Sequence, residues 1–194
     1  MRYPPAHKLA TRRRIVAAAS AAFRERGVEQ TGLDEIMHRA GLTHGGFYAH
    51  FRDKSELVAE ACAEAFDTAV INLDRIAAKP TAAARARLLI DSYLSGHHRD
   101  NRGSGCLIVA VGADMARLAG AAKDGFARGF ARHLERLAAA LRLEPDPAAN
   151  HDRVTYLMST LVGALLFARA IDDRERSDAL LAATRRTLRR EFCR

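Results

Sequence analysis

Proline is scarce in this chain and runs of β-branched residues are scarcer. Five prolines in 194 residues leave long stretches without a helix breaker, and the near absence of valine, isoleucine and threonine runs removes the usual signature of strands. With alanine abundant, the expectation is an all-α chain. No apolar run approaches the roughly 20 residues that a membrane-spanning helix requires. The opening MRYPPAHKLATRRR has basic residues but no apolar stretch behind them, so no secretory leader and a cytoplasmic location are expected. The three cysteines, Cys62, Cys106 and Cys193, are odd in number and widely spaced, which argues against a disulfide framework and against a zinc site. A glycine-rich strand–loop–helix, a G-x-S-x-G elbow and histidine–carboxylate spacings that suit a metal are all missing. Gly103-Ser104-Gly105 lacks a third glycine and a preceding strand. His38, His44 and His50 recur every six residues, a spacing that would not converge on one ion. No catalytic residue, cofactor or metal is therefore expected.

What is present is ordinary globular material with a biased charge. Hydrophobic residues make up 48% and charged residues 28%, which excludes a disordered chain. The length suits one good core, or a small module joined to a larger one. Net charge is +8, and much of it is local: up to residue 30 stand Arg2, Lys8, Arg12, Arg13, Arg14, Arg24 and Arg26 against Glu25 and Glu29. Such a concentration suits a polyanion such as nucleic acid, and a solvated helix surface would account for the charge equally well. A second basic cluster, RRTLRREFCR at the C-terminus, reads as the exposed face of a last helix.

Apolar positions along the chain recur with helical spacing. Ile15, Ala18, Ala19, Ala22 and Phe23 form the stripe of a first helix over 8–26, which Gly27 stops. Thr31, three residues before Asp34, has the arrangement of a helix-starting cap. A short second helix with Leu33, Ile36, Met37 and Ala40 follows, and Gly41 ends it. Thr43 is a good N-cap for a third helix to about Phe51. Asp53 and Glu56 start a fourth, which can run unbroken through Leu57, Phe66, Val70 and Leu73 to Ala78, before Pro80. Four helices in about 80 residues, with a tight glycine turn between the second and third, is helix-turn-helix spacing. Helices are then expected over 81–98, 106–118, 120–143, 151–171 and 177–192, with a polar loop GHHRDNRGSG and a break at EPDP. The helix 151–171 is apolar nearly all round and must be buried on every side.

The stretch LTHGGFYAHF, 42–51, carries the chemistry. Each glycine costs a helix interior about 1 kcal/mol against alanine, so Gly45-Gly46 before three aromatics needs a reason. A recognition helix enters the major groove by its N-terminal residues. Small residues there let the backbone approach DNA, with the positive end of the helix dipole toward phosphate. Phe47 and Phe51, four apart, can anchor the segment, while Tyr48 and His50 lie on other faces and can reach phosphates. Lys54 opens the next helix near the backbone.

With these residues, TGLDEIMHRAGLTHGGFYAHFRDKSELV over 31–58 resembles the tetracycline-repressor (TetR/AcrR) family of bacterial transcriptional regulators. The family pattern falls on Thr43, Gly45, Phe47, Tyr48, His50 and Phe51, continues on Lys54 and Leu57, and also meets Ile36, Ala40 and Gly41. His44 and Gly46 stand where the family commonly has lysine and threonine or serine, which places operator preference on those two positions. The resemblance implies an N-terminal three-helix helix-turn-helix DNA-binding domain, 1–54, and a larger helical effector-binding and dimerisation domain, 55–194, with 55–79 as the connecting helix. It implies a homodimer through the last two helices on a palindromic double-stranded operator, released by a small-molecule effector, with repression the usual outcome. DNA contacts are expected from Thr31, Thr43, His44, Gly45, Gly46, Tyr48, His50 and Lys54. Phe66, Tyr93, Cys106, Met115, Phe126 and Phe130 are candidate effector-pocket lining that would serve equally as core. Two alternatives stand beside this: a thiol sensor acting through Cys106, and a helical interaction protein that does not bind DNA.

Overall fold

The computed structural model describes residues 5–67 and 72–194. Among the described residues there are ten α-helices, one 3-10 helix and no strand, in agreement with the all-α expectation. In chain order the helices are α1 (Pro5–Arg26), α2 (Leu33–Arg39), a 3-10 segment (His44–Ala49), α3 (Lys54–Asp67), α4 (Leu73–Ala77), α5 (Ala82–Tyr93), α6 (Gly96–Asp100), α7 (Leu107–Arg117), α8 (Ala121–Leu141), α9 (Pro147–Ala170) and α10 (Arg174–Phe192). Among the described residues no helix is long and apolar enough to cross a membrane.

Local chemistry explains most boundaries. Gly27 closes α1 at φ +82° and Gly41 follows α2 at φ +67°, conformations that L side chains rarely adopt. The Asp53 carboxylate accepts the Glu56 N–H at 2.8 Å to start α3, and Asp146 accepts from Ala149 ahead of Pro147, the first residue of α9. Four expectations are corrected. Thr31 does not cap α2, whose N-cap is Gly32 without a side-chain bond. The third helix is a single 3-10 stretch, not an α-helix to Phe51. The helix from Lys54 does not run unbroken to Ala78, because Asn72 is extended and its side chain caps a new helix at Leu73; Val70 lies outside the described residues. The segment expected as a polar loop contains α6, whose N-cap Ser95 Oγ accepts from His98 N–H.

Contacts divide the chain into two compact units, Met1–Thr68 with Cys106–Phe130, and Ala69–Gly105 with Ala131–Arg194. In the first, α1 packs against α2, α3 and α7, burying Ile15, Phe23, Ile36, Phe47, Leu57 and Val111 in one cluster. Here α8 approaches α3 at two glycines one turn apart. A Cβ at Gly125 would stand 2.8 Å from Ala59 Cβ, and one at Gly129 would stand 2.5 Å from Phe66 Cδ2. In the second unit α10 packs on α9 and α5, and α4 on α5. The buried guanidinium of Arg99 joins α6 to α10 through Ser177 Oγ at 2.9 Å and Asp178 at 2.6 Å. The apolar helix α9 buries Val154, Leu157, Leu161 and Leu165 but leaves Tyr156, Leu166 and Phe167 exposed, so its burial is one-sided within this chain.

Candidate nucleic-acid interface

The helix-turn-helix is held from beneath by aromatics. Phe47 and Phe51 are buried and stack at 5.5 Å between centroids, and the Arg12 guanidinium lies 4.0 Å over the Phe51 ring. Arg12 is also paired with Glu56 and Glu60, so α1 and α3 are clamped on either side of the segment. The Arg14 guanidinium donates to the Ala40 carbonyl at the end of α2. With both phenylalanines anchored, the 3-10 geometry turns Tyr48 outward, 64% exposed. Two glycines in the first turn weaken α-helical propensity, which accounts for the short, tight form. A side chain at Gly45 would meet open space, and one at Gly46 only the Met37 methyl at 3.6 Å. Neither glycine is required by packing.

Around this face the sequence-derived candidates separate. Thr43 and His44 are exposed beside Tyr48. Thr43 makes no side-chain cap bond, while His44 Nδ1 stands 2.5 Å from Asp34 Oδ1 in the first turn of α2. His50 is half-buried. Burial, followed by the positive charges of Lys8, Arg12 and His7, pushes the pKa of its imidazole below the usual value. Two candidates turn away. Thr31 is fully buried and its hydroxyl donates to the Gly27 carbonyl at 2.7 Å, which makes it a brace for the α1–α2 turn. Lys54 Nζ donates to the Val28 carbonyl at 2.7 Å, and burial lowers its pKa, so its ammonium is committed within the protein.

Sequence reasoning missed the first turns of α1. Residues 6–10 are all exposed, and Lys8 and Arg13 make no ion pair among the described residues. Their charge was legible; the nearness of Lys8 to His50 was not, because it depends on how α1 crosses the segment. It also missed Asp114 on α7, whose carboxylate accepts the Val28 N–H at 2.7 Å.

The six candidate lining residues are distributed over both units. Phe66 and Met115 are buried core of the first, with Phe126 and Phe130 packed against them, and Phe66 lies 5.5 Å from Phe126 between centroids. Cys106 is the half-buried N-cap of α7. Tyr93, in the second unit, is the one of the six on the wall of a cavity of about 390 Å³.

A helix-turn-helix with an exposed tyrosine–histidine face, basic side chains beside it and further helices after it is a fold of the kind that binds DNA. Residues 15–61 match the family model described as bacterial regulatory proteins, tetR family. Over 48 residues the chain is 50% identical to the HTH-type transcriptional regulator TtgR of Pseudomonas putida, covering 25% of this chain and 23% of that protein. Over 57 residues it is 46% identical to the HTH-type transcriptional repressor BepR of Brucella suis, covering 29% and 27%. The matched stretch thus spans about a quarter of the length of these curated relatives. The fold extends further: against the crystal structure of the reduced form of Escherichia coli NemR the TM-score is 0.74 at 21% identity, covering 92% of this chain and 95% of that one. Residues 15–61 are thus a segment similar to the tetR family, in a chain whose fold matches that solved structure over nearly its whole length.

Proposed function

We propose that the chain is a transcriptional regulator of the repressor kind, which binds a palindromic double-stranded operator as a homodimer and is released by a small-molecule effector. The observation that carries the reading is the face of Thr43, His44 and Tyr48, exposed over buried Phe47 and Phe51. Sequence is read by groups that reach base edges, and affinity comes from cations on phosphate. His44 and the glycine backbone suit the first task, and Tyr48, Lys8 and Arg13 the second. One of the matched relatives is named a repressor. In this reading 1–54 is the DNA-binding domain, 55–194 the effector and dimerisation domain with 55–79 connecting them, and the protein works in the cytoplasm. Exposed Tyr156, Leu166 and Phe167 on α9 supply the apolar face that a two-fold partner would cover.

The test is a polarisation titration against the DNA flanking its own gene, repeated across salt. Binding that falls linearly on a log–log plot as salt rises supports the regulator. An absence of binding at every salt concentration, with the protein folded, overturns it in favour of a helical interaction protein.

A further inference from the structure

We propose that the cavity of the second unit is the effector site and that it takes a small monocarboxylate with a short apolar body, its carboxylate paired with Arg75. This names the ligand class within the reading given above and rests on it.

The cavity, about 390 Å³, lies among α4, α5, α6 and Ser104. That is the low end of the range for small-molecule sites. Its floor is apolar: Ile76 is 2% exposed, Leu89 0% and Tyr93 1%. Its mouth is polar, with Ser92, His97, Asn101 and Ser104 exposed around it. An apolar floor under a polar mouth selects a molecule with two ends.

Charge decides which polar end. Arg75 is the one lysine or arginine among the lining residues, and none of them is an aspartate or glutamate. Its backbone N–H is used by the Asn72 cap at 2.9 Å, and its guanidinium makes no ion pair among the described residues. His98 adds no second charge. Its Nδ1–H donates to the Tyr93 carbonyl at 2.8 Å, and burial first of all holds its imidazole neutral. Ser95 is likewise committed, to the α6 cap and to the Ser92 carbonyl. One guanidinium among hydroxyl, amide and imidazole groups matches a single negative charge, for which a carboxylate offers the paired oxygens that a guanidinium binds in parallel. An ammonium ligand would find no carboxylate, and a dianionic phosphate would lack a second cation.

The experiment uses the full chain and three probes with one apolar body: hexanoate, 1-hexanol and hexylamine, by isothermal titration and thermal shift at pH 7.5. Hexanoate is expected to bind and raise the unfolding midpoint, with hexanol about tenfold weaker or more and hexylamine without effect. Arg75→Gln should weaken hexanoate about tenfold while leaving hexanol unchanged, and Arg75→Lys should recover part of the loss. An unliganded midpoint equal to wild type in Arg75→Gln shows that the fold is intact. Hexanol binding as tightly as hexanoate, Arg75→Gln binding hexanoate like wild type, or no hexanoate binding at millimolar concentration each overturns the assignment. The same proteins are titrated with upstream DNA. Salt-dependent DNA binding without hexanoate binding refutes the ligand class alone. Hexanoate binding without DNA binding refutes the regulator reading and leaves the site.

Discussion

The Asp114 carboxylate on α7 accepts the N–H of Val28 at 2.7 Å across 86 residues of sequence, and Lys54 Nζ takes the carbonyl of the same residue at 2.7 Å. Val28 follows the glycine that ends α1, and its N–H and carbonyl are bonded by side chains from α7 and α3, the carbonyl accepting also from the Thr31 N–H at 3.4 Å. The fit is close on the other side too. A Cβ on Gly27 would stand 2.8 Å from Asp114 Oδ2, at a backbone φ of +82°. The turn that sets α2 is thereby tied to α7.

Removing the tie should be measurable. Asp114→Ala leaves the Val28 N–H without its acceptor, at about 1–3 kcal/mol. Urea unfolding should show that loss, and operator affinity should fall because α2 is less well held. A midpoint unchanged within error would mean that water replaces the carboxylate at no cost.

Lys54 and Tyr48 were legible as a pair of phosphate contacts, and their placements separate them. Tyr48→Phe should weaken binding to all DNA sequences alike, since phosphate contacts carry no sequence information. Lys54→Ala should lower stability and leave the salt dependence of binding in place. Lys8→Ala and Arg13→Ala should each reduce the magnitude of the salt slope by about one. His44→Asn should change which operator is preferred. A reduced salt slope in Lys54→Ala with unchanged stability would restore the phosphate assignment.

Much of the fold was legible because its signals are local. Gly27 after a helical stripe and Asp53 before Glu56 each act within one turn, and each marks a real boundary, whereas the EPDP expected as a break ahead of a helix from 151 holds the Asp146 cap and Pro147, with which α9 begins. Where local chemistry offered two uses of one group, the sequence misled. Thr31 is placed to cap α2, but its hydroxyl is taken by the Gly27 carbonyl in a turn whose shape is set by α7. Asn72 inside an apolar pattern looks tolerable in a helix, but its side chain bonds to the Arg75 N–H and starts a new one. The motif residues 43–51 were found, while the commitment of Lys54 and the nearness of Lys8 to His50 depend on helix crossings that no spacing reports. Periodicity identifies an apolar residue and not which unit buries it, which is why Phe66 and Tyr93 read alike.

Buried histidines give the protein an acid limit. Burial lowers the imidazole pKa of His98 and of His133 below the ordinary 6.5, with nearby positive charge lowering both further. Unfolded, each ring takes up a proton near pH 6.5; folded, each stays neutral to lower pH. Between those values the unfolded chain binds more protons, so stability is full above 6.5 and falls as pH is lowered through the folded values. The unfolding midpoint should therefore drop between pH 7.5 and 5.5, and by less in His133→Gln. Equal drops in both proteins would remove His133 from the account.

Gly125 and Gly129 set the approach of α8 to α3, and Gly129→Ala tests it. The new methyl would meet the Phe66 ring, and overpacking of this kind costs about 1–3 kcal/mol. Alanine also gains helix propensity of up to about 1 kcal/mol, which offsets part of the loss. The expected net effect is a lower unfolding midpoint, recovered by pairing Gly129→Ala with Phe66→Leu. A more stable single variant would show that the ring moves aside freely.

The cysteines differ enough for chemistry to tell them apart. Cys62 is 0% exposed, and burial pushes its thiol up to about 12, so it is neither reachable nor ionised at neutral pH. Cys193 is half-buried, and burial again raises its pKa. Cys106 caps the apolar helix α7 at its N-terminus, half-buried, and its accessibility sets it apart from Cys62, which is fully enclosed. N-ethylmaleimide should therefore label Cys106 first in the folded protein, Cys193 more slowly, and Cys62 only in urea, as read by mass spectrometry of the digested protein. The thiol-sensor alternative then makes a sharper demand. Labelling of the wild type must release operator DNA, and Cys106→Ser must keep it bound under the same treatment. Release from both proteins would pass the role to Cys193, and retention by both would leave Cys106 as packing at the start of α7, with release assigned to a reversible ligand.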